Sequence, residues 1–135
     1  MHALVINLKS KQDRRSYMVN QLNKLEIDYT IMDAVDVNAI SDSYYITLRD
    51  TWERRLRKSE VCCFLSHKRA WELVLKENKP YIILEDDIVF SEKAQIVLNS
   101  LYENSDFNFI NIETTPRRKL IDKKSYDIIE NFKLT

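Results

Sequence analysis

The sequence predicts an α/β domain of three layers around a largely parallel sheet. Three observations support this: short apolar runs alternate with amphipathic stretches, the runs lie far enough apart for helical crossovers, and one run turns abruptly acidic. The 135 residues, 44% of them hydrophobic, suffice for one core and one domain, taken as residues 1–135.

Ala3 to Leu8 reads as a first buried strand. A helix follows from about Gln12 to Leu25, with Tyr17, Met18, Leu22 and Leu25 as its apolar stripe and Asp13 in the first turn, where the dipole favours a carboxylate. Tyr29 to Met32 forms a second strand leading into Asp33-Ala34-Val35-Asp36. A polar loop then gives way to a short helix through Tyr45, Leu48, Trp52 and Leu56. Ser59 is the expected N-cap of a longer helix from Glu60 to about Glu77, on which Phe64, His67, Trp71 and Val74 share a face. Tyr81 to Phe90 reads as a third strand, Glu92 to Tyr102 as a helix, and Phe107 to Ile112 as a fourth strand. The order is β-α-β-α-β-α-β.

Composition narrows the function. With 21 basic and 21 acidic residues, no global field draws the chain to nucleic acid or an anionic membrane. Met1 to Asn7 has no basic stretch ahead of its apolar run, and no run reaches membrane-spanning length, so a cytoplasmic protein is expected. The adjacent Cys62 and Cys63 form no ordinary disulfide framework, and packing accounts for them; with His67 they lack the further ligands of a zinc site. Glycine is absent, which excludes a Walker loop and a dinucleotide fingerprint, so side chains and metal must hold any phosphate. Asparagine is expected to take some of the positive-φ positions.

The chemistry concentrates in Glu85-Asp86-Asp87, embedded in the apolar run from Tyr81 to Phe90. Two ionised carboxylates about 4 Å apart repel by about 4 kcal/mol at an effective dielectric near 20, so such a cluster binds protons or a cation. Oxygen ligands suit Mg²⁺ or Mn²⁺. Strand alternation directs Glu85 and Asp87 to one face and Asp86 to the other. The plain alternative is an acidic turn closing a strand. Asn7 ends the first strand, and Arg14 and Arg15 begin the following helix, where arginine forks can take phosphate or simply face solvent. Asp36 could accept from a ribose. His67 and Trp71 share a helix face as a packed pair or as a ligand-facing one. Arg117, Arg118 and Lys119 form a basic cluster, either a solvated loop or a phosphate contact.

In order and spacing, Ile6-Asn7-Leu8, Asp13-Arg14-Arg15, Ala34-Val35-Asp36, Ser59-Glu60-Val61, Cys63-Phe64-Leu65-Ser66-His67, Trp71 and Ile83-Leu84-Glu85-Asp86-Asp87 resemble glycosyltransferase family 25, the bacterial lipooligosaccharide and lipopolysaccharide sugar transferases. The resemblance runs from Ala3 to about Glu113. It implies a GT-A-like fold, a UDP-sugar donor, often UDP-galactose, and a glycolipid acceptor met at the inner face of a membrane. By resemblance Glu85 and Asp87 would ligate Mn²⁺ on the donor diphosphate, and Asp86 would face sugar or ribose. Asn7, Arg14, Arg15 and Asp36 would line the nucleotide, with His67 and Trp71 near the donor and Glu113 as the remaining candidate base. Glycines usual around the Ser59–Cys63 segment are replaced here by Ser59 and Cys62. Family members also continue further, so the chain corresponds to an N-terminal, donor-binding portion. Two other readings stand beside a hexosyltransferase: an inactive remnant that binds nucleotide at most, and a Mg²⁺-dependent phosphotransferase.

Overall fold

The computed structural model of the chain describes residues 1–104, 108–113, 126–129 and 132–134. They fall into two compact units, Met1–Val89 and Phe90–Thr135.

The first unit is built on a three-stranded parallel sheet. Strand β1 (His2–Asn7) lies at its centre, flanked by β2 (Asp28–Asp33) and β3 (Tyr81–Glu85). Asn7 is level with Asp33, and Ile6 with Glu85, so the carboxyl ends of all three strands emerge together. A central parallel strand must be covered on both faces, and Ala3 to Asn7 are all buried. Leu4 and Ile6 pack with Ala70 of helix α3 (Lys58–Glu77), where Met32, Leu73, Val74 and Ile83 complete the cluster. Helix α1 (Gln12–Lys24) lies against β1 and β2 and buries Met18 and Leu22.

The glycine-free chain closes both long helices with other residues in the left-handed region. Asn78, at φ 49°, ends α3 and donates its N–H to the Val74 carbonyl. Glu26, at φ 52°, ends α1 in a Schellman-type closure whose Ile27 N–H reaches the Leu22 carbonyl at 3.0 Å. Asparagine meets the expectation; glutamate there accepts a steric cost of about 1–2 kcal/mol.

Several boundaries differ from expectation. Helix α2 (Asp42–Arg49), capped by Ser41, stops before Trp52 and Leu56. The Thr51 hydroxyl donates to the Leu48 carbonyl, an acceptor that a longer helix would need, and Asp50 binds Arg49 and Arg55. Ser59 lies inside α3, and Arg57 is the N-cap. Arginine has no acceptor to offer a helix N–H, so Glu60 supplies the cap by accepting from the Arg57 N–H at 2.7 Å. Arg54 grips the same carboxylate, and together these donors lower the Glu60 pKa to about 2. The buried face of α3 is Val61, Cys62, Ser66 and Ala70; Phe64 and Trp71 are exposed, because the sheet meets the helix along the 62/66/70 line.

Strand β3 ends at Glu85. Asp86 and Asp87 form a turn, and Ile88 to Phe90 have no ladder. The alternation argument for Glu85 and Asp87 therefore stops at Glu85. In the second unit, α4 (Ala94–Asn104) forms as expected, and β4 (Tyr126–Ile129) pairs antiparallel with β5 (Phe132–Leu134). The strand expected over Phe107–Ile112 is absent at residues 108–113, where the Asn111 side chain accepts from the Glu113 N–H and offers the backbone a local bond in place of a ladder. Arg117, Arg118 and Lys119 lie outside the described residues. Among the described residues no helix is long and apolar enough to cross a membrane.

Candidate active site

The chain runs from β1 to β2 on one side, then crosses to β3 on the other, so β1 and β3 flank a topological switch point. In open α/β sheets the crevice beyond the carboxyl ends of such a strand pair is where ligands bind. Asn7 closes β1 there, and Glu85-Asp86-Asp87 closes β3.

Asp86 turns inward and is buried. Its Oδ2 accepts from the Asn7 amide at 2.7 Å, and its Oδ1 from Arg14 Nη1 at 3.1 Å. The Asn7 amide also donates to the Lys11 carbonyl at 3.2 Å, which ties the start of α1 to the same point. Arg14 Nη1 reaches Asp87 Oδ2 as well, at 3.2 Å. Hydrogen bonding to Asp86 is the chief cause that raises the Arg14 pKa above its ordinary value. A cation therefore already stands between Asp86 and Asp87, which answers the repulsion within the acidic run with a side chain. Both bonds use Nη1, one of the three guanidinium nitrogens, and Arg14 is otherwise exposed.

Glu85 faces a different set of neighbours. Its Oε1 lies 2.9 Å from His67 Nε2 and 3.7 Å from Cys63 Sγ, both on α3. His67 lowers the Glu85 pKa, and bonding to Cys63 and then to Glu85 raises that of His67 to about 9. The Trp71 ring stands 6.1 Å from that of His67, tilted by 47°.

Asn7, Arg14, Asp86 and Asp87 thus converge, and His67 and Trp71 adjoin Glu85. Arg15 lies on the exposed surface of α1 and does not share the bonds of Arg14. Asp36 caps a single 3-10 turn, Val37–Ala39, by accepting from the Asn38 N–H at 2.8 Å. Glu113 belongs to the second unit, exposed and outside any strand. Beyond β2, a cleft of about 510 Å³ runs between Val35, Ile40, Tyr44 and the Leu65, Lys68 and Arg69 side of α3.

Cys63 and Ser66 acquire roles that packing alone does not describe. Ser66 is buried, donates to the Cys62 carbonyl at 2.7 Å and accepts from the Val35 N–H at 2.9 Å, fixing the loop after β2 onto α3. The i, i+4 spacing of Cys63 and His67 is visible in sequence. Their partner Glu85 lies 18 residues beyond His67 and meets them only because α3 packs beside β3.

The oxygen donors at the turn suit a hard divalent ion in kind, and Asp87 is exposed enough to offer one. Glu85 is bound instead to His67 and Cys63 on α3.

A family model described as Glycosyltransferase family 25 (LPS biosynthesis protein) matches residues 1–134. A Haemophilus influenzae protein to which glycosyltransferase activity is ascribed is 31% identical over 128 residues, 92% of this chain and 45% of its own. Human procollagen galactosyltransferase 2 is 35% identical over 112 residues, 76% of this chain and 18% of its own. A Bos taurus protein named "Probable inactive glycosyltransferase 25 family member 3" is 35% identical over 109 residues, 73% of this chain and 18% of its own. The chain spans less than half the length of these relatives.

Proposed function

The chain belongs to glycosyltransferase family 25, and we propose that it forms the donor-binding part of a hexosyltransferase that moves galactose from a UDP-sugar to a lipooligosaccharide or lipopolysaccharide acceptor, aided by Mn²⁺ or Mg²⁺. The supporting observation is the convergence of Asn7, Arg14, Asp86 and Asp87 at the switch point between β1 and β3. Galactose is favoured by the human relative's name, and the acceptor by the family description.

In this reading Asp86 positions Arg14, because Asn7 holds one of its oxygens and Arg14 the other. Arg14 turns the outer edge of its guanidinium to the donor diphosphate, where a fork matches phosphate oxygens. Asp87 and Glu85 hold the divalent ion, which supplies charge neutralisation for the departing UDP. Asp36 accepts from the ribose beyond β2, while Arg15 adds positive charge at the rim. Trp71 and His67 border the sugar. The acceptor is met at the cytoplasmic face of the inner membrane, by peripheral contact.

Calorimetric titration of UDP with and without Mn²⁺ tests the donor site. Binding that requires Mn²⁺ and weakens at least about tenfold in Asp87→Asn is expected, about 1.4 kcal/mol; no binding in either condition overturns the assignment. The bovine relative's name favours a second reading, a nucleotide-binding chain without turnover. Mn²⁺-dependent UDP binding without sugar transfer, across a panel of nucleotide sugars and acceptor glycans, would select it.

A further inference from the structure

Cys63, His67 and Glu85 present a sulfur, a nitrogen and an oxygen donor to one point. Their ligand atoms all lie within 4.8 Å of one another. Cys63 and His67 are one helical turn apart on α3, and Glu85 arrives from the end of β3, so two rigid elements set the spacing. With metal–ligand distances of about 2.3 Å to sulfur and about 2.0–2.2 Å to nitrogen and oxygen, a tetrahedral ion needs edges of about 3.6 Å for S···O and about 3.4 Å for N···O. Cys63 Sγ and Glu85 Oε1 already stand 3.7 Å apart, and His67 Nε2 and Glu85 Oε1 stand 2.9 Å apart. Opening the second edge by about 0.5 Å breaks one hydrogen bond.

We propose that Cys63 Sγ, His67 Nε2 and Glu85 Oε1 bind a thiophilic divalent cation of the Zn²⁺ class, leaving the fourth position open to water or substrate. Thiolate and imidazole favour Zn²⁺ or Co²⁺ over Mg²⁺ or Mn²⁺. Three protein ligands with one open position is the pattern of a reactive zinc site, since structural sites close with four. The half-exposed Glu85 and exposed Cys63 leave a path for the ion. Binding releases the Cys63 thiol proton and the His67 Nε2 proton to solvent, and it replaces the hydrogen bond between His67 and Glu85. This ion is distinct from the hard ion of the donor reading, although Glu85 belongs to both ligand sets.

Titration of the purified full chain with Co²⁺ tests the site, because cobalt–thiolate bonding gives a near-ultraviolet charge-transfer band and tetrahedral cobalt gives visible bands. The wild type is expected to show both and to lose them when Zn²⁺ is added. Cys63→Ser should abolish the charge-transfer band, and His67→Ala should weaken Co²⁺ binding at least about tenfold, since even outer-shell changes cost that much. Cys62→Ala, which removes the buried neighbouring thiol, should keep the band. Absence of a thiolate band in the wild type overturns the proposal, as does a band that survives Cys63→Ser. Asp87→Asn separates this proposal from the donor reading: it should keep the cobalt band while weakening Mn²⁺-dependent UDP binding, and loss of the band would merge the two sites and overturn this one.

Discussion

Three pairs of adjacent residues divide the same way between inside and outside. Cys62, Ser66 and Asp86 are buried, whereas their neighbours Cys63, His67 and Glu85 are partly or largely exposed and meet one another. The inner set holds the frame: Ser66 binds the Val35 N–H and the Cys62 carbonyl, and Asp86 binds Asn7 and Arg14. The side chains of the outer set bind one another. Two residues of the same charge, Glu85 and Asp86, thus receive different work because a strand ends between them. The turn rotates Asp86 inward to the Asn7 amide and leaves Glu85 beside α3.

Variants of the inner set should cost stability, and variants of the outer set ligand binding. Asp86→Ala is the largest expected loss, about 2–3 kcal/mol, because it leaves the buried Asn7 amide without its carboxylate and Arg14 without its shorter ion pair. Urea unfolding measures it, and a change below about 0.5 kcal/mol would mean that the turn is not anchored through Asp86. Ser66→Ala should cost about 1–2 kcal/mol by stranding the Val35 N–H in the core, again read from the urea midpoint. Glu85→Gln should move stability by less than about 1 kcal/mol, the usual range for an exposed pair. The same variant should nevertheless weaken Co²⁺ binding. A Glu85→Gln cost as large as that of Asp86→Ala would erase the distinction between the two sets.

The core of the first unit is legible in sequence because each element there carries a local signal. The apolar run of Ala3–Leu8 and the Met18/Leu22 stripe become β1 and α1 within about two residues, and β3 begins at Tyr81 as expected. The end of β3 is not legible. Ile88-Val89-Phe90 continues the β-prone composition, yet the Asn7 and Arg14 bonds that capture Asp86 come from 79 and 72 residues away. The same limit hides the buried face of α3. A stripe through Phe64 and Trp71 is as apolar as the one through Cys62, Ser66 and Ala70, and only the position of the sheet decides between them. The strand expected over Phe107–Ile112 does not form at residues 108–113, because a strand needs a partner ladder and Asn111 offers the backbone a local bond instead. For the site, sequence identifies Asn7, Arg14 and the acidic run as candidates. Their division into an Asp86 side and a Glu85 side requires the fold.

The most direct test of the donor-site account is anomalous X-ray scattering at the manganese edge from crystals grown with UDP and Mn²⁺. The account predicts a peak about 2.2 Å from an Asp87 carboxylate oxygen, the distance typical of a hard ion with oxygen ligands, with the UDP phosphates beside Arg14. UDP bound elsewhere on the chain, or a manganese peak away from the turn that closes β3, would contradict it.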